Sequence, residues 1–197
     1  MIILLLVSSV CFGIITGHFC AFSLPSELST VLLVMLVFVV GIDIGSGERI
    51  FVKLRLSFPK ILWQSIYTIA GTFFGALICS WVLPLSALET MTAASGLGWY
   101  SLSGTMISQM HSPLLGAVSF ASNVFREVLA ILLVPVFGKK SPNGAISLGG
   151  ATTMDTLLGL ISRYTNPEDT LVAFGQGVIL SLTVPLWISF FLHFLTK

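Results

Sequence analysis

Apolar runs of membrane length recur along the chain at about 2–22, 29–45, 61–83, 113–137 and 169–195. Each is near the twenty residues a helix needs to cross a bilayer, so the pattern predicts five full transmembrane helices. Two further stretches break it. Residues 88–110, "LETMTAASGLGWYSLSGTMISQM", and 144–163, "GAISLGGATTMDTLLGLISR", are too apolar for solvent loops and too rich in glycine and hydroxyl residues for simple spans. Non-helical backbone at membrane depth survives only where protein or a water-filled cavity covers it. Both stretches are therefore expected to be broken or re-entrant helices that face the protein interior. The expected fold is an all-α integral membrane protein, a single transport domain over 1–197, with the broken helices of a secondary transporter.

Basic residues set the expected orientation. The stretch 46–60 carries Arg49, Lys53, Arg55 and Lys60 and is read as a cytoplasmic loop, whereas 23–28 has no Lys or Arg and is read as external. That puts the N-terminus inside. The first run has no positive leader and no A-x-A cleavage site, so it is read as a retained span. Residues 61–83 then run outward, and Lys139 and Lys140 return to the cytoplasm only if 88–110 re-enters. With 144–163 also re-entering, from the opposite face, the C-terminus ends outside.

Composition narrows the class further. The chain is 55% hydrophobic and 9% charged, against about a quarter charged in soluble domains. A net charge of +1 gives no electrostatic support for a nucleic-acid partner. Cys11, Cys20 and Cys79 are scattered through apolar runs, without the spacing of a metal site or disulfide framework. His18, His111 and His193 also lack ligand spacing. No metal or cofactor is expected.

The charges inside apolar runs are the informative ones. A charged side chain at the bilayer centre costs at least about 2.5–3.5 kcal/mol, yet Arg126 and Glu127 sit near the middle of 113–137. Ser119, Asn123 and Glu127 recur every fourth residue and form one polar helix face, which ends at Ile131 and Pro135 and must look into the bundle. Asp155 follows "GGATT", where Thr152 and Thr153 offer hydroxyls. If 149–152 unwinds, Asp155 falls in the first turn of a half-helix. Free N–H groups there favour its charged form, and burial opposes it. A structural ion pair of Arg126 with Glu127 or Asp155 is one reading. Two acids against one arginine leave a carboxylate over, free to bind a cation or carry a proton.

Other polar positions are weaker candidates. In "GWYSLSG", 98–104, the glycines permit unwinding, and Ser95, Gly98, Trp99, Tyr100, Ser101 and Ser103 are candidate lining residues. Trp99 and Tyr100 suit a cation pocket, but equally an interfacial aromatic belt with small-residue packing. Gln176 is either a lining residue or an interhelical hydrogen-bonder. Asp43 and Glu48 read as boundary charges. Pro167, Glu168 and Asp169 read as the start of the last helix.

Three of these stretches, "AASGLGWYSLSG" at 93–104, "SNVFREVLAILLVP" at 122–135 and "GGATTMDTLL" at 149–158, resemble the LysO family of lysine exporters, over nearly the whole chain. The resemblance implies export of L-lysine and its toxic analogue thialysine across the cytoplasmic membrane by proton antiport. It also implies two essential intramembrane acids, which fall on Glu127 and Asp155. Longer family members carry additional N-terminal spans, which a separate small membrane subunit or a homo-oligomer would have to replace here. The competing readings are a transporter of the same architecture for another cation or amino acid, a structural membrane subunit, and an intramembrane enzyme. The last has little support: there is no HExxH, GxGD or GxSG, and no histidine placed to serve a serine as base.

Overall fold

The computed structural model describes residues 50–196 and, before them, isolated helical positions between Ser8 and Ile42. The expected spans 2–22 and 29–45 lie outside the described residues apart from those positions. From Ile50 onward the chain is helical without strands. It comprises α1 (Ile50–Cys79), α2 (Ala87–Ala94), α3 (Tyr100–Met110), α4 (Pro113–Phe137), α5 (Pro142–Gly149), a 3-10 turn (Gly150–Met154), α6 (Leu158–Tyr164) and α7 (Pro167–Leu195). Among the described residues three helices are long and apolar enough to cross a membrane, Arg55–Cys79, Pro113–Phe137 and Pro167–Leu195. The protein is an all-α integral membrane protein.

Helix starts follow local chemistry. Ser86 caps α2 in a capping box: its hydroxyl accepts from the Glu89 N–H at 3.2 Å, and the Glu89 carboxylate accepts from the Ser86 N–H at 2.7 Å. Ser112 caps α4 and Asn166 caps α7, each followed by proline at the first helical position, where the missing N–H has no partner to lose. The expected span 113–137 is met at both ends. The expected span 61–83 is not: α1 starts eleven residues earlier, so Lys53, Arg55 and Lys60 lie on a helix and not in a loop. The helix runs through Pro59. Lys60 reaches across to the first turn of α7, 3.4 Å from Glu168 and 3.0 Å from Asp169.

That contact puts the N-terminal ends of α1 and α7 at the same end of the bundle. Gly138, just past α4, packs against Tyr164 at the end of α6. Thus α4 runs antiparallel to α1 and α7, and the segment α5–turn–α6 leaves and returns at one end. The segment α2–α3 does the same at the opposite end, where Glu89 is near enough to His111 for their charges to act on each other. α3 lies antiparallel along α4, with Gly104 beside Gly116 and Phe120. The two broken segments are thus hairpins inserted from opposite ends.

α7 is apolar on all sides, as suits a central helix. Its first half packs Val172 and Ala173 with Ile61, Val134, Ile146 and Ile161 around one hairpin. Its second half packs Leu180, Val184 and Ile188 with Ala93, Leu97 and Ile107 around the other. Lipid tails are as apolar as these side chains, so close packing and interhelical hydrogen bonds carry the association.

Candidate functional site

The hairpins meet at their breaks. Gly98 and Gly150 have φ of 112° and 64°, conformations that a glycine adopts without steric cost, whereas Leu97 has φ of 49°, which costs a residue with a Cβ about 1–3 kcal/mol. The Ala151 N–H donates to the Leu97 carbonyl at 2.8 Å. A Cβ on Gly98 would stand 3.2 Å from both the Ala151 nitrogen and the Gly149 carbonyl oxygen. Side chains on α4 fasten the first break. Asn123 accepts from the Gly98 N–H at 2.7 Å and donates to the Ser119 carbonyl at 2.8 Å. The Ser119 hydroxyl donates to the Ala93 carbonyl at 2.8 Å. The polar face of Ser119 and Asn123 does point into the bundle, and both are buried.

The second break ends α5, where helical donors run out for the last carbonyls; Ile146 still accepts from the Gly150 N–H, and Gly149 accepts from the Thr152 hydroxyl. Side chains from three elements donate to α5. Arg126 on α4 gives Nε to the Leu148 carbonyl at 2.9 Å and a terminal nitrogen to the Ser147 carbonyl at 2.7 Å; its other terminal nitrogen donates to the Thr72 hydroxyl at 3.2 Å. Gln176 on α7 donates to the Ile146 carbonyl at 3.1 Å and accepts from the Thr68 hydroxyl at 2.9 Å. Gln64 on α1 donates to the Asn143 carbonyl at 2.8 Å and the Ser147 hydroxyl at 2.7 Å. The ion pair weighed from sequence is therefore not formed. The counter-charge of Arg126 is the negative end of the α5 dipole, where a cation is favoured, and its planar fork spans two successive carbonyls.

This leaves both acids free of basic partners. Among the described residues, the ion pairs are those of Lys60 alone. Glu127 and Asp155 meet instead at Thr156. Its hydroxyl lies 2.6 Å from Glu127 Oε1 and 3.3 Å from Asp155 Oδ1, and its backbone N–H donates to Asp155 Oδ1 at 2.6 Å. The half-helix opened by Asp155, weighed from sequence for the case that 149–152 unwinds, does not form: Gly150–Met154 is a 3-10 turn. Asp155 follows that turn, three residues before α6 begins, because the chain stays irregular through Leu157. Asp155 and Thr156 line a cavity of about 310 Å³ with Gly98, Trp99, Tyr100 and Ser101 from the other hairpin and Ser181 from α7. Small-molecule clefts start at about this size.

A family model described as "Lysine exporter LysO" matches residues 7–192. The chain belongs to the LysO family of lysine exporters. The chain is 32% identical over 166 residues to the lysine exporter LysO of Escherichia coli, an alignment covering 84% of this chain and 55% of that protein. It is 29% identical over 191 residues to a Haemophilus influenzae protein named "Putative lysine exporter", covering 96% and 97%. The chain thus spans about half the length of the E. coli relative and nearly all of the H. influenzae one. No solved structure matches it. LysO is a family of transporters, not of enzymes.

In this LysO-family chain the candidate residues divide into two groups. Gly98, Trp99, Tyr100, Ser101, Thr152 and Asp155 line the cavity, and Glu127 reaches it through Thr156. Ser95, Ser103, Asn123, Arg126, Thr153 and Gln176 instead hold backbone at or beside the breaks. The Ser95 hydroxyl donates to the Thr92 carbonyl, that of Ser103 to the Tyr100 carbonyl, and that of Thr153 to the Ala173 carbonyl. Thr156 was not singled out in the sequence, nor were Ser181, Thr68, Thr72 and Gln64. A threonine beside an aspartate in a hydroxyl-rich run carries no pattern that marks it. The i, i+4 spacing of Gln64, Thr68 and Thr72 on one face of α1 was the readable signal for those three.

Proposed function

We propose that the chain is the transport core of a lysine exporter, which moves L-lysine and thialysine out across the cell membrane in exchange for protons. Glu127 and Asp155 are the coupling groups. The observation that carries this reading is the acid pair itself: two carboxylates at the crossing of two helix breaks, beside a cavity, with no basic side chain against them among the described residues. Such a pair needs a cation, and a proton or a substrate ammonium can each supply it. The two compete for the same oxygens. Lysine entering from the cytoplasm displaces a proton, and a proton entering from outside displaces lysine.

The membrane arrangement in this proposal follows the positive charges. Lys53, Arg55, Lys139, Lys140 and Arg163 fall at the end of the bundle shared by the N-termini of α1 and α7, so that end is cytoplasmic. The hairpin α5–α6 then re-enters from the cytoplasm and the hairpin α2–α3 from outside. The N-terminus lies inside and the C-terminus outside. A small membrane subunit, or a second copy of this chain, supplies the part of the bundle that the longer E. coli relative carries in its own length.

The test is proton release on addition of lysine or thialysine to proteoliposomes of the purified chain, alone and with a co-expressed small membrane partner. Release that is lost in Glu127→Gln and Asp155→Asn supports the reading. Lysine efflux that survives both substitutions rejects it.

A further inference from the structure

The Thr156 hydroxyl stands between two carboxylates but has a single hydrogen to give. At 2.6 Å from Glu127 Oε1 and 3.3 Å from Asp155 Oδ1, it cannot donate to both. With both acids charged, one contact sets a hydroxyl lone pair against a carboxylate lone pair. With one proton on the pair, both contacts become hydrogen bonds: Glu127 donates to Thr156 Oγ1, and Thr156 donates to Asp155. The chain of bonds also runs in the reverse sense, so the proton's place is interchangeable between the acids. The distance to Glu127 lies in the range of a charge-assisted O–H···O bond.

We propose that Thr156 is a positioning residue that joins Glu127 and Asp155 into one unit holding a single proton, which leaves when a cationic amine binds. This rests on the exporter reading and adds the element that makes the coupling one for one. In balance, the singly protonated pair plus a substrate ammonium gives the doubly charged pair holding the ammonium, plus one proton released to water. No covalent bond other than O–H changes. Among the described residues, the titratable groups facing the pair are few. Tyr100 on α3 lines the same cavity and is near enough for both carboxylate charges to act on it. Arg126, next to Glu127 on α4, is turned onto the α5 carbonyls. α7 contributes Ser181, which does not titrate.

The experiment is an infrared titration of the carboxylic C=O bands of the purified full chain in lipid nanodiscs. It compares the Glu127 midpoint with and without Asp155→Asn, in the wild-type background and with Thr156→Val. Valine keeps the branched shape and the backbone N–H and removes the hydroxyl. We expect D155N to move the Glu127 midpoint by at least about one pH unit in the wild type, the mark of coupled sites, and by less than half as much with T156V. Thr156→Ser should behave as wild type. Equal shifts with and without T156V, or T156S behaving like T156V, would overturn the proposal. Thr156→Ala replaces T156V if that variant does not fold. Lysine-dependent proton release measured on the same samples separates the two readings. No release with the infrared coupling intact removes the exporter reading and leaves the joined pair; release insensitive to T156V does the reverse.

Discussion

Replacing Arg126 by methionine removes a guanidinium that donates to two carbonyls at the end of α5 and to the Thr72 hydroxyl. Hydrogen bonds from a charged group are worth about 1.5–3 kcal/mol each, so the two carbonyl bonds together contribute about 3–6 kcal/mol. Against this, the substitution relieves the cost of holding an arginine at membrane depth, about 2.5–3.5 kcal/mol. The net change lies between about −0.5 and 3.5 kcal/mol, centred on a loss of about 1.5 kcal/mol, with lysine intermediate because an ammonium cannot span both carbonyls. Thermal unfolding of the purified protein in detergent measures it. A change of 1 kcal/mol moves the midpoint of a chain of this size by roughly 2–4 °C. The same experiment on E127Q and D155N decides between the dipole contact and an ion pair. If Arg126 answered to either acid, neutralising that acid would strand a buried charge and cost about 3–5 kcal/mol. We expect E127Q and D155N to lie within about 1 kcal/mol of wild type. An acid variant that destabilises more than R126M, and whose effect vanishes when combined with R126M, would refute the assignment.

Gln176→Leu removes one bond to the Ile146 carbonyl and one from the Thr68 hydroxyl, but Ile146 keeps the Gly150 N–H and Thr68 keeps the Gln64 carbonyl and the Ser147 hydroxyl, so it should cost about 0.5–1.5 kcal/mol per lost bond, read from the same melts. Gly150→Ala should cost more than the roughly 1–3 kcal/mol of an unfavourable φ, because the added methyl meets the Leu97 carbonyl and sits 3.0 Å from the Arg126 guanidinium. Gly144→Ala, at an exposed turn of α5 where the Ser141 side chain is the sole near neighbour, should change stability by less than about 1 kcal/mol. Lys60→Met should cost about 1.5–3 kcal/mol, because its 3.0 Å partner Asp169 is only 6% exposed and loses its charged donor, whereas the 3.4 Å pair with the exposed Glu168 adds little; unfolding at low and high salt should differ less in the variant than in wild type.

The residues that could be read in advance were those whose presence is expensive. Glu127 and Asp155 stand out because a membrane does not tolerate stray carboxylates, and the glycine- and hydroxyl-rich stretches 88–110 and 144–163 stand out because broken helices fit them best. The span 113–137 was legible at both ends because serine, proline and a lysine pair bound it. The partner of Arg126 was not, because backbone carbonyls at a helix end have no letter in the sequence; a search among side chains could only offer Glu127 or Asp155. The start of α1 was missed for a related reason. Lys53, Arg55, Pro59 and Lys60 look like loop chemistry, whereas a helix entering a membrane carries long basic side chains on its first turns with their heads turned to water. Thr156 acquires meaning only when the fold brings Glu127 to it from twenty-nine positions away.

The bond from the Ala151 N–H to the Leu97 carbonyl has a kinematic consequence. It is a backbone-to-backbone rivet between Leu97 and Ala151, each next to a glycine, Gly98 and Gly150. One such bond is worth about 0.5–1.5 kcal/mol, so it resists the parting of the two hairpin tips. Under the exporter reading, a motion that keeps it moves the hairpins as one piece against α1, α4 and α7, and a solute would then pass beside the bond and not across it.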